Sequence, residues 1–383
     1  MPGQPLWPVT ATCTRGLEEV LREEVGALGF ADATCARGVV RLRADFDGLV
    51  RLNLQLRTAM RVLLTLREGP ARCREDLYEL AASVPWEEWL DARKTLAVEV
   101  AGPAPGFEHR GFAALVVKDA LVDRLRDRLG GRPDVDRADP DVRVHVHLGS
   151  DRATLSLDSS GEPLSHRGWR PMGGPAPLAE SLAAGMLLLA GYDGSRPFLD
   201  PMCGTGTLAI EAASIATRRA PGARRTFALE RWRLPGPAVV AAERERASET
   251  VRKAPQPVLA GDRDERAVAA AFRNARAAGL GGSVRVVRRD VRALEVPRPG
   301  TVIVTNPPYG RRLGAGESLE SLYRDLGDAF KRRAPGCVAW VLSGAPDLAR
   351  LIGLRPQRRI VLFNGPIECR LLRFDLVAGR LED

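Results

Sequence analysis

Four consecutive residues, Asn306-Pro307-Pro308-Tyr309, follow the apolar run TVIVT. Adjacent prolines fix the backbone and remove two N–H donors, while their carbonyls remain as acceptors. The Asn306 side-chain oxygen and the Pro307 carbonyl can then hold both hydrogens of one planar –NH2 group. That grip takes the nitrogen lone pair out of conjugation and aims it at an electrophile. Tyr309 offers a flat face to a planar, flipped-out substrate. The chemistry that fits is methyl transfer by in-line displacement, with Asn306, Pro307, Pro308 and Tyr309 as catalytic candidates and neither a strong base nor a metal. Holding reactants in line can lower a barrier by several kcal/mol. The bland alternative is a proline-rich loop that ends a strand.

A second constellation is FLDPMCGTGTLAI, Phe198–Ile210. An apolar strand ends in Asp200, a short turn follows, and a helix starts near Thr207. Gly204 and Gly206 let the backbone approach a ligand where a Cβ would clash. The spacing is not G-x-G-x-x-G, and no Lys-Ser/Thr follows to hold a phosphate, which argues against a dinucleotide or triphosphate. A loop that opens on an acid suits a cation. The methionine half of S-adenosylmethionine carries an ammonium and a sulfonium, and Asp200 would attract the ammonium directly or through water. PVLAGDRDE puts Asp262 past the next strand, where a carboxylate can accept ribose hydroxyls; Asp264 caps the helix that begins at Glu265. VRVVRRD ends at Asp290, placed for the adenine amino group. The donor-site candidates are therefore Asp200, Pro201, Met202, Cys203, Gly204, Thr205, Gly206, Asp262, Arg263, Asp290, Val291 and Asn306, with S-adenosylmethionine as cofactor, S-adenosylhomocysteine as product and no metal.

These residues need a scaffold that puts them on one edge. From Leu178 onward, apolar runs alternate with amphipathic helices: PFLD, Leu208–Ala216, PVLAGD, Glu265–Ala278, VRVVRRD, TVIVTN, Ser318–Arg332, CVAWVLS, and RRIVLF–NG–PIECRLLRFDL. That rhythm predicts an α/β, doubly wound, mostly parallel sheet. Asn364-Gly365 is a hairpin signal that turns the last strand antiparallel, a feature of class I methyltransferases. Earlier, helices at Gly16–Leu28, Asp47–Leu56, Asp76–Ser83 and Ala113–Leu129 alternate with strands at Gly38–Leu42, Arg61–Leu66, Thr95–Val100, Asp141–Leu148 and Arg152–Asp158. Ser159–Pro177, rich in Gly, Pro and Arg, reads as a boundary. The expected domains are 1–68, 69–160, a linker 161–177, and 178–383.

Composition bounds the partners. The net charge is +9, but residues from His166 on hold 35 basic and 22 acidic side chains, against 22 and 26 before. A positive catalytic half suits a polyanion, although an Arg-, Ala- and Gly-rich composition alone tends the same way. Six scattered cysteines form no CxxC pair, which argues for reduced thiols, mostly core, over zinc or disulfides. His145 and His147 alternate on one strand without a companion ligand and read as a half-exposed face. No apolar run reaches the roughly 18 residues of a membrane span. The N-terminus has no basic start before an apolar stretch. A cytoplasmic protein with no membrane partner is expected; the oligomeric state is not encoded legibly.

DPMCGTGT, TNPPYG and LDSSGEPLSHRGWR together resemble the THUMP-domain RNA guanine-N2 methyltransferases, most of all the bacterial branch that acts on large-subunit ribosomal RNA. TATCTRGLEEVLREEV and RLNLQLRTAMRVLL are similar to the ends of that family's N-terminal ferredoxin-like domain. GFAALVVKDALVDRLR, PDVRVHVHL and RATLSLDSSGE are similar to its THUMP domain. The resemblance implies a Rossmann-like class I methyltransferase domain, seven-stranded with an antiparallel last strand, preceded by α+β ferredoxin-like and THUMP domains. It implies 23S ribosomal RNA as partner, with tRNA, the substrate of a sister branch, as the alternative. It implies the methionine moiety on Asp200–Gly206, ribose on Asp262, adenine on Asp290 and guanine on Asn306–Tyr309. Arg311 departs from the acid expected after NPPYG. Some members carry a second methyltransferase domain, whose activity is not expected of a chain ending at Asp383.

The NPPY grip alone serves any planar –NH2. A protein glutamine-amide methyltransferase would carry a helical N-terminal domain, unlike the α/β pattern here. A DNA adenine methyltransferase would leave the THUMP-like module unexplained, and a non-catalytic RNA-binding assembly factor has no need of three aspartates and NPPY together.

Overall fold

The computed structural model describes residues 5–170, 178–309 and 318–377. Arg311 and linker residues 171–177 lie outside them. The chain forms two compact units. One takes in Leu21–Leu164, the strand before it and Arg225–Arg246; the other takes in Thr14–Val20, Ser165–Arg224 and the chain from Ala247 on.

The first unit is built on β1 (Trp7–Cys13), α1 (Glu18–Ala27, whose first residues belong to the second unit), β2 (Thr34–Ala36), β3 (Val39–Ala44), α2 (Phe46–Gln55), β4 (Ala59–Pro70), α3 (Arg74–Ala82), β5 (Thr95–Ala101), α4 (Arg110–Leu129), β6 (Asp134–Val135), β7 (Val142–Leu148) and β8 (Arg152–Asp158). Eight strands make one sheet in the order β2-β3-β1-β4-β8-β7-β5-β6. β4 joins the halves, pairing antiparallel with β1 on one side and β8 on the other. The sequence patterns find the helices and most strands and pass over β1, β2 and β6. β7 alternates as its sequence requires: Val142, Val144, Val146 and Leu148 are buried, and His145 and His147 share the other, half-exposed face.

Ser159 and Ser160 are fully buried. The Asn53 Nδ2 donates to Ser159 Oγ at 2.8 Å, and the Ser160 Oγ donates to Asn53 Oδ1 at 2.7 Å. Further on, Arg167 and Glu211 form an ion pair at 3.1 Å with both side chains almost fully buried. Ser159, Ser160 and Arg167 are thus hydrogen-bonding groups folded inward, as buried polar side chains must be.

The second unit contains α5 (Glu180–Leu189), β9 (Phe198–Asp200), α6 (Thr207–Ala216), β10 (Val258–Asp262), α8 (Glu265–Ala277), β11 (Val284–Arg288), β12 (Val302–Thr305), α9 (Leu319–Arg333), β13 (Cys337–Ser343), α10 (Pro346–Arg350), β14 (Arg358–Asn364) and β15 (Ile367–Leu376); α7 (Pro237–Glu249) runs across the boundary of the two units. The seven-stranded sheet has the order β11-β10-β9-β12-β13-β15-β14. β9 to β13 pair parallel, and β15 is antiparallel to both its neighbours. β9 and β12 are buried at every residue, as central strands covered on both faces must be. On α9, Leu322, Tyr323, Leu326, Ala329 and Phe330 are spaced to form one stripe and join Ile303, Val341 and Phe374 in the core. Asp264 caps α8 as expected, accepting from the Arg266 backbone N–H at 2.8 Å. No described helix is long and apolar enough to cross a membrane.

Candidate functional site

Four parallel strands carry the candidate residues to one edge. β9 ends at Asp200 and β10 at Asp262; Asp290 lies two residues past β11, and Asn306 immediately follows β12. The chain runs outward from β9 to β11, then returns to β12 on the other side. The crevice beyond the carboxyl ends of the strands at such a reversal is the usual ligand position in open α/β sheets. A cleft of about 770 Å³ opens there, inside the roughly 300–1,000 Å³ range of small-molecule sites.

The donor loop reaches the cleft through Pro201, Met202 and Gly204, and β10 through Asp262 and Arg263. Asp262 Oδ2 accepts from the Gly204 backbone N–H at 2.9 Å, and its Oδ1 accepts from the Asp264 N–H at 3.0 Å. Each oxygen keeps a second lone pair for a ligand hydroxyl. Asp290 and Val291 also line the cleft. The Asp290 carboxylate already receives both the backbone N–H and the guanidinium of Arg292, with an ion pair at 2.8 Å. Those bonds hold its carboxyl below the usual range. An amino group arriving there must share or displace them.

Asp200, Cys203, Thr205 and Gly206 do not form the cleft wall. Asp200 is 1% exposed. Its Oδ1 accepts from Thr305 Oγ1 at 2.8 Å and from the Met202 backbone N–H at 3.2 Å. Burial pushes its carboxyl up to about 7, against the pull of those two donors and with help from the Asp262 charge. Cys203 is buried, and burial pushes its thiol up. The Thr205 carbonyl takes Asn274 Nδ2 at 2.9 Å. Gly206 has φ +90°, and a Cβ there would lie 3.0 Å from Ala271 Cβ. Packing of the α6 start on α8 demands that glycine, whereas a Cβ on Gly204 would meet nothing within 4 Å. Space for a ligand beside the backbone is open at Gly204, whereas at Gly206 it is taken by Ala271.

Asn306, Pro307, Pro308 and Tyr309 all line the cleft. The Asn306 Oδ1 is buried and has no hydrogen-bond partner among the described residues. A buried acceptor without a partner costs about 1–3 kcal/mol, so an incoming donor would be favoured at this one. The Tyr309 hydroxyl accepts from Asn364 Nδ2 at 2.8 Å and from Cys369 Sγ at 3.6 Å. Burial raises its pKa and keeps the ring a neutral phenol. An –NH2 group pinned by Asn306 and Pro307 beside a fixed aromatic face is what this end of the cleft can hold.

The hairpin turn Asn364–Ile367, the α9 residues Ser321, Leu322 and Asp325, and Leu178 also line the cleft. None was a sequence-level candidate. Asn364-Gly365 carried a turn signal only, and nothing in its spacing announced that the turn folds over NPPY.

The chain matches three family models: the RMKL-like methyltransferase domain over residues 167–373, the THUMP domain over 72–158, and the RlmL ferredoxin-like domain over 9–63. It is 41% identical to the ribosomal RNA large subunit methyltransferase K/L of Syntrophotalea carbinolica, across 97% of this chain and 54% of that protein. The chain spans about half the length of the curated relatives it matches. The crystal structure of SMU.472 in complex with SAH superposes with a TM-score of 0.89 and 28% identity, covering 99% of this chain and 100% of that one. A Listeria monocytogenes protein named as a predicted N6-adenine-specific DNA methylase superposes at 0.88 with 30% identity, over 97% and 96%.

Proposed function

Since the chain belongs to the RMKL-like methyltransferase family, we propose that it transfers a methyl group from S-adenosylmethionine to the exocyclic N2 of a guanine in large-subunit (23S) ribosomal RNA, in the cytoplasm. The observation that carries this reading is the buried Oδ1 of Asn306 in the cleft wall, which has no hydrogen-bond partner among the described residues. The THUMP match over residues 72–158 and the ribosomal RNA activity named for the relatives support RNA as the substrate class. The SAH-bound neighbour supports the donor.

The residues fit such a donor. Asp262 offers acceptor positions to a ribose diol, Gly204 leaves room beside it, and Asp290 with Val291 bounds the far end. When bound, the donor supplies an electrophilic methyl group on a sulfonium. Asn306 Oδ1 and the Pro307 carbonyl take the two N2 hydrogens, so the nitrogen lone pair points toward that methyl. Tyr309 stacks on the base. The new N–CH3 bond forms as the S–CH3 bond breaks, and the methylated nitrogen sheds one proton to solvent. Orientation and desolvation supply the rate enhancement.

The test is transfer of labelled methyl to unmodified ribosomal RNA and tRNA in parallel, followed by nucleoside digestion and mass spectrometry. N2-methylguanosine from ribosomal RNA is expected. The same product from tRNA alone would move the substrate to the sister branch. N6-methyladenosine, or label on protein, would overturn the guanine assignment.

A further inference from the structure

The grip of Asn306 and Pro307 recognises an –NH2 group, and both guanine and adenine present one. The atom that separates them sits next to it: N1 of guanine carries a hydrogen, and N1 of adenine is an acceptor. A site for guanine N2 therefore needs a second acceptor beside the grip. We infer that Asn364 supplies it, accepting the guanine N1–H through its Oδ1 and so selecting guanine over adenine-type bases; this rests on the guanine-N2 reading above.

Asn364 closes β14 and lines the same cleft as Asn306 and Tyr309. In the hairpin register Asn364 pairs with Ile367 and Leu362 with Cys369. Side chains two apart along a strand share a face, so Asn364 and Cys369 point the same way, and both reach the Tyr309 hydroxyl. Because the Asn364 Nδ2 is the atom committed to that hydroxyl at 2.8 Å, the amide plane is set. Its Oδ1 takes no hydrogen bond from the described residues. The result is a fixed acceptor on the cleft wall, tethered to the ring on which the base stacks. Adenine would set its N1 lone pair against this oxygen. A site built to accept an N–H discriminates strongly against a base that lacks it.

The discriminating substrate is 2-aminopurine, which keeps the 2-amino group but has no hydrogen on N1. Once the acceptor nucleotide is mapped, a ribosomal RNA fragment is made with guanosine or 2-aminopurine riboside at that position. The ratio of kcat/KM for the two is compared among wild type, Asn364→Leu and Asn364→Asp. Donor affinity measured alongside reports that each variant is folded. The expected result is that Asn364→Leu lowers the guanosine preference about tenfold, the worth of one hydrogen bond. Asn364→Asp, which retains an acceptor, keeps the preference within about threefold of wild type. An unchanged ratio in Asn364→Leu would overturn the inference. So would an equal loss in both variants, since Asn364 would then act only as a tether for Tyr309. Failure of the wild-type protein to methylate guanosine in any RNA would instead remove the reading beneath it.

Discussion

The hydroxyl of Thr305, the last residue of β12, donates to the carboxyl of Asp200, the last residue of β9, at 2.8 Å. Both side chains are buried. This bond joins the two strand ends that flank the reversal in strand order. Asp200 starts the loop proposed to hold the methyl donor, and Thr305 immediately precedes Asn306, which is proposed to hold the acceptor. One buried hydrogen bond thus ties together the strand ends that lead to the proposed donor loop and the proposed acceptor grip.

Asp200 should make donor binding depend on pH near neutrality. Its carboxyl lies at about 7 in the fold, above the ordinary value of about 3.9. A raised carboxyl contributes stability that is whole below about pH 4 and lost as pH rises through about 7. A bound ammonium favours the ionised form, so donor affinity runs the opposite way and rises severalfold between about pH 6 and pH 8. Calorimetry in buffers of different ionisation enthalpy should detect a proton released on binding near pH 7. Asp200→Asn should bind more weakly at the upper end and show no pH step. A wild-type affinity that is flat across this range would reject the link between Asp200 and the ammonium.

Asp262→Ala should weaken donor binding by about ten- to a hundredfold, from the loss of one to two charge-assisted hydrogen bonds to the ribose. The same change releases the Gly204 and Asp264 backbone N–H groups, so the loop loses its anchor as well as its ligand contact. Asp262→Asn, whose one oxygen can keep only one of those anchors, should fall between wild type and Asp262→Ala. Titration of S-adenosylhomocysteine into the three proteins measures this; equal affinities would dismiss the ribose role.

Much of this site could be read from spacing alone. Aspartates at strand ends and NPPY after a fourth apolar run imply a shared edge wherever strands are parallel, since parallel strands align their carboxyl ends. What spacing could not show was depth. Asp200 and Asp262 look alike in sequence, yet the first lies in the sheet interior and the second on the cleft wall, because Asp200 ends a central strand whereas Asp262 sits one strand outward. Nor could it show long-range closure. Asn364 meets Tyr309 from 55 positions away, and Asn53 meets Ser159 from 106. Those contacts follow from sheet order, which local patterns do not carry. Of the strands passed over in the first unit, β2 and β6 are only three and two residues long, too short to show alternation, whereas β1 spans the seven residues Trp7–Cys13 and its small and polar members hide the pattern.

The two loop glycines should respond differently to alanine. Gly206→Ala places a methyl 3.0 Å from Ala271 Cβ at φ +90°, and both strain and overpacking count against it. A destabilisation of about 1–3 kcal/mol is expected. At Gly204 the backbone is also left-handed, at φ +52°, but the space is open. That variant should lose less stability, about 1 kcal/mol, and more donor affinity, because the methyl would stand where the ligand passes. Thermal melts with and without S-adenosylhomocysteine separate the cases: Gly206→Ala lowers the apo Tm more, and Gly204→Ala loses more of the ligand-induced shift. The reverse order would mean that the cleft is not where the donor lies.

Asn306→Ala carries the most weight. The Asn306 Oδ1 is buried and unpartnered among the described residues, so its removal should relieve a cost of about 1–3 kcal/mol, offset in part by lost packing. The apo protein should melt at the same temperature or slightly higher. Asp200, Asp262 and Gly204 are untouched, so S-adenosylhomocysteine affinity should stay within about threefold, less than the loss of one hydrogen bond. Methyl transfer should fall by at least about a hundredfold in kcat, as when one preorganised polar contact to the reacting group is deleted. A residue that only shaped the loop would instead lower Tm and donor affinity together with turnover. Loss of turnover alone, in a protein as stable as the wild type, is the signature of a group whose partner arrives only with the substrate.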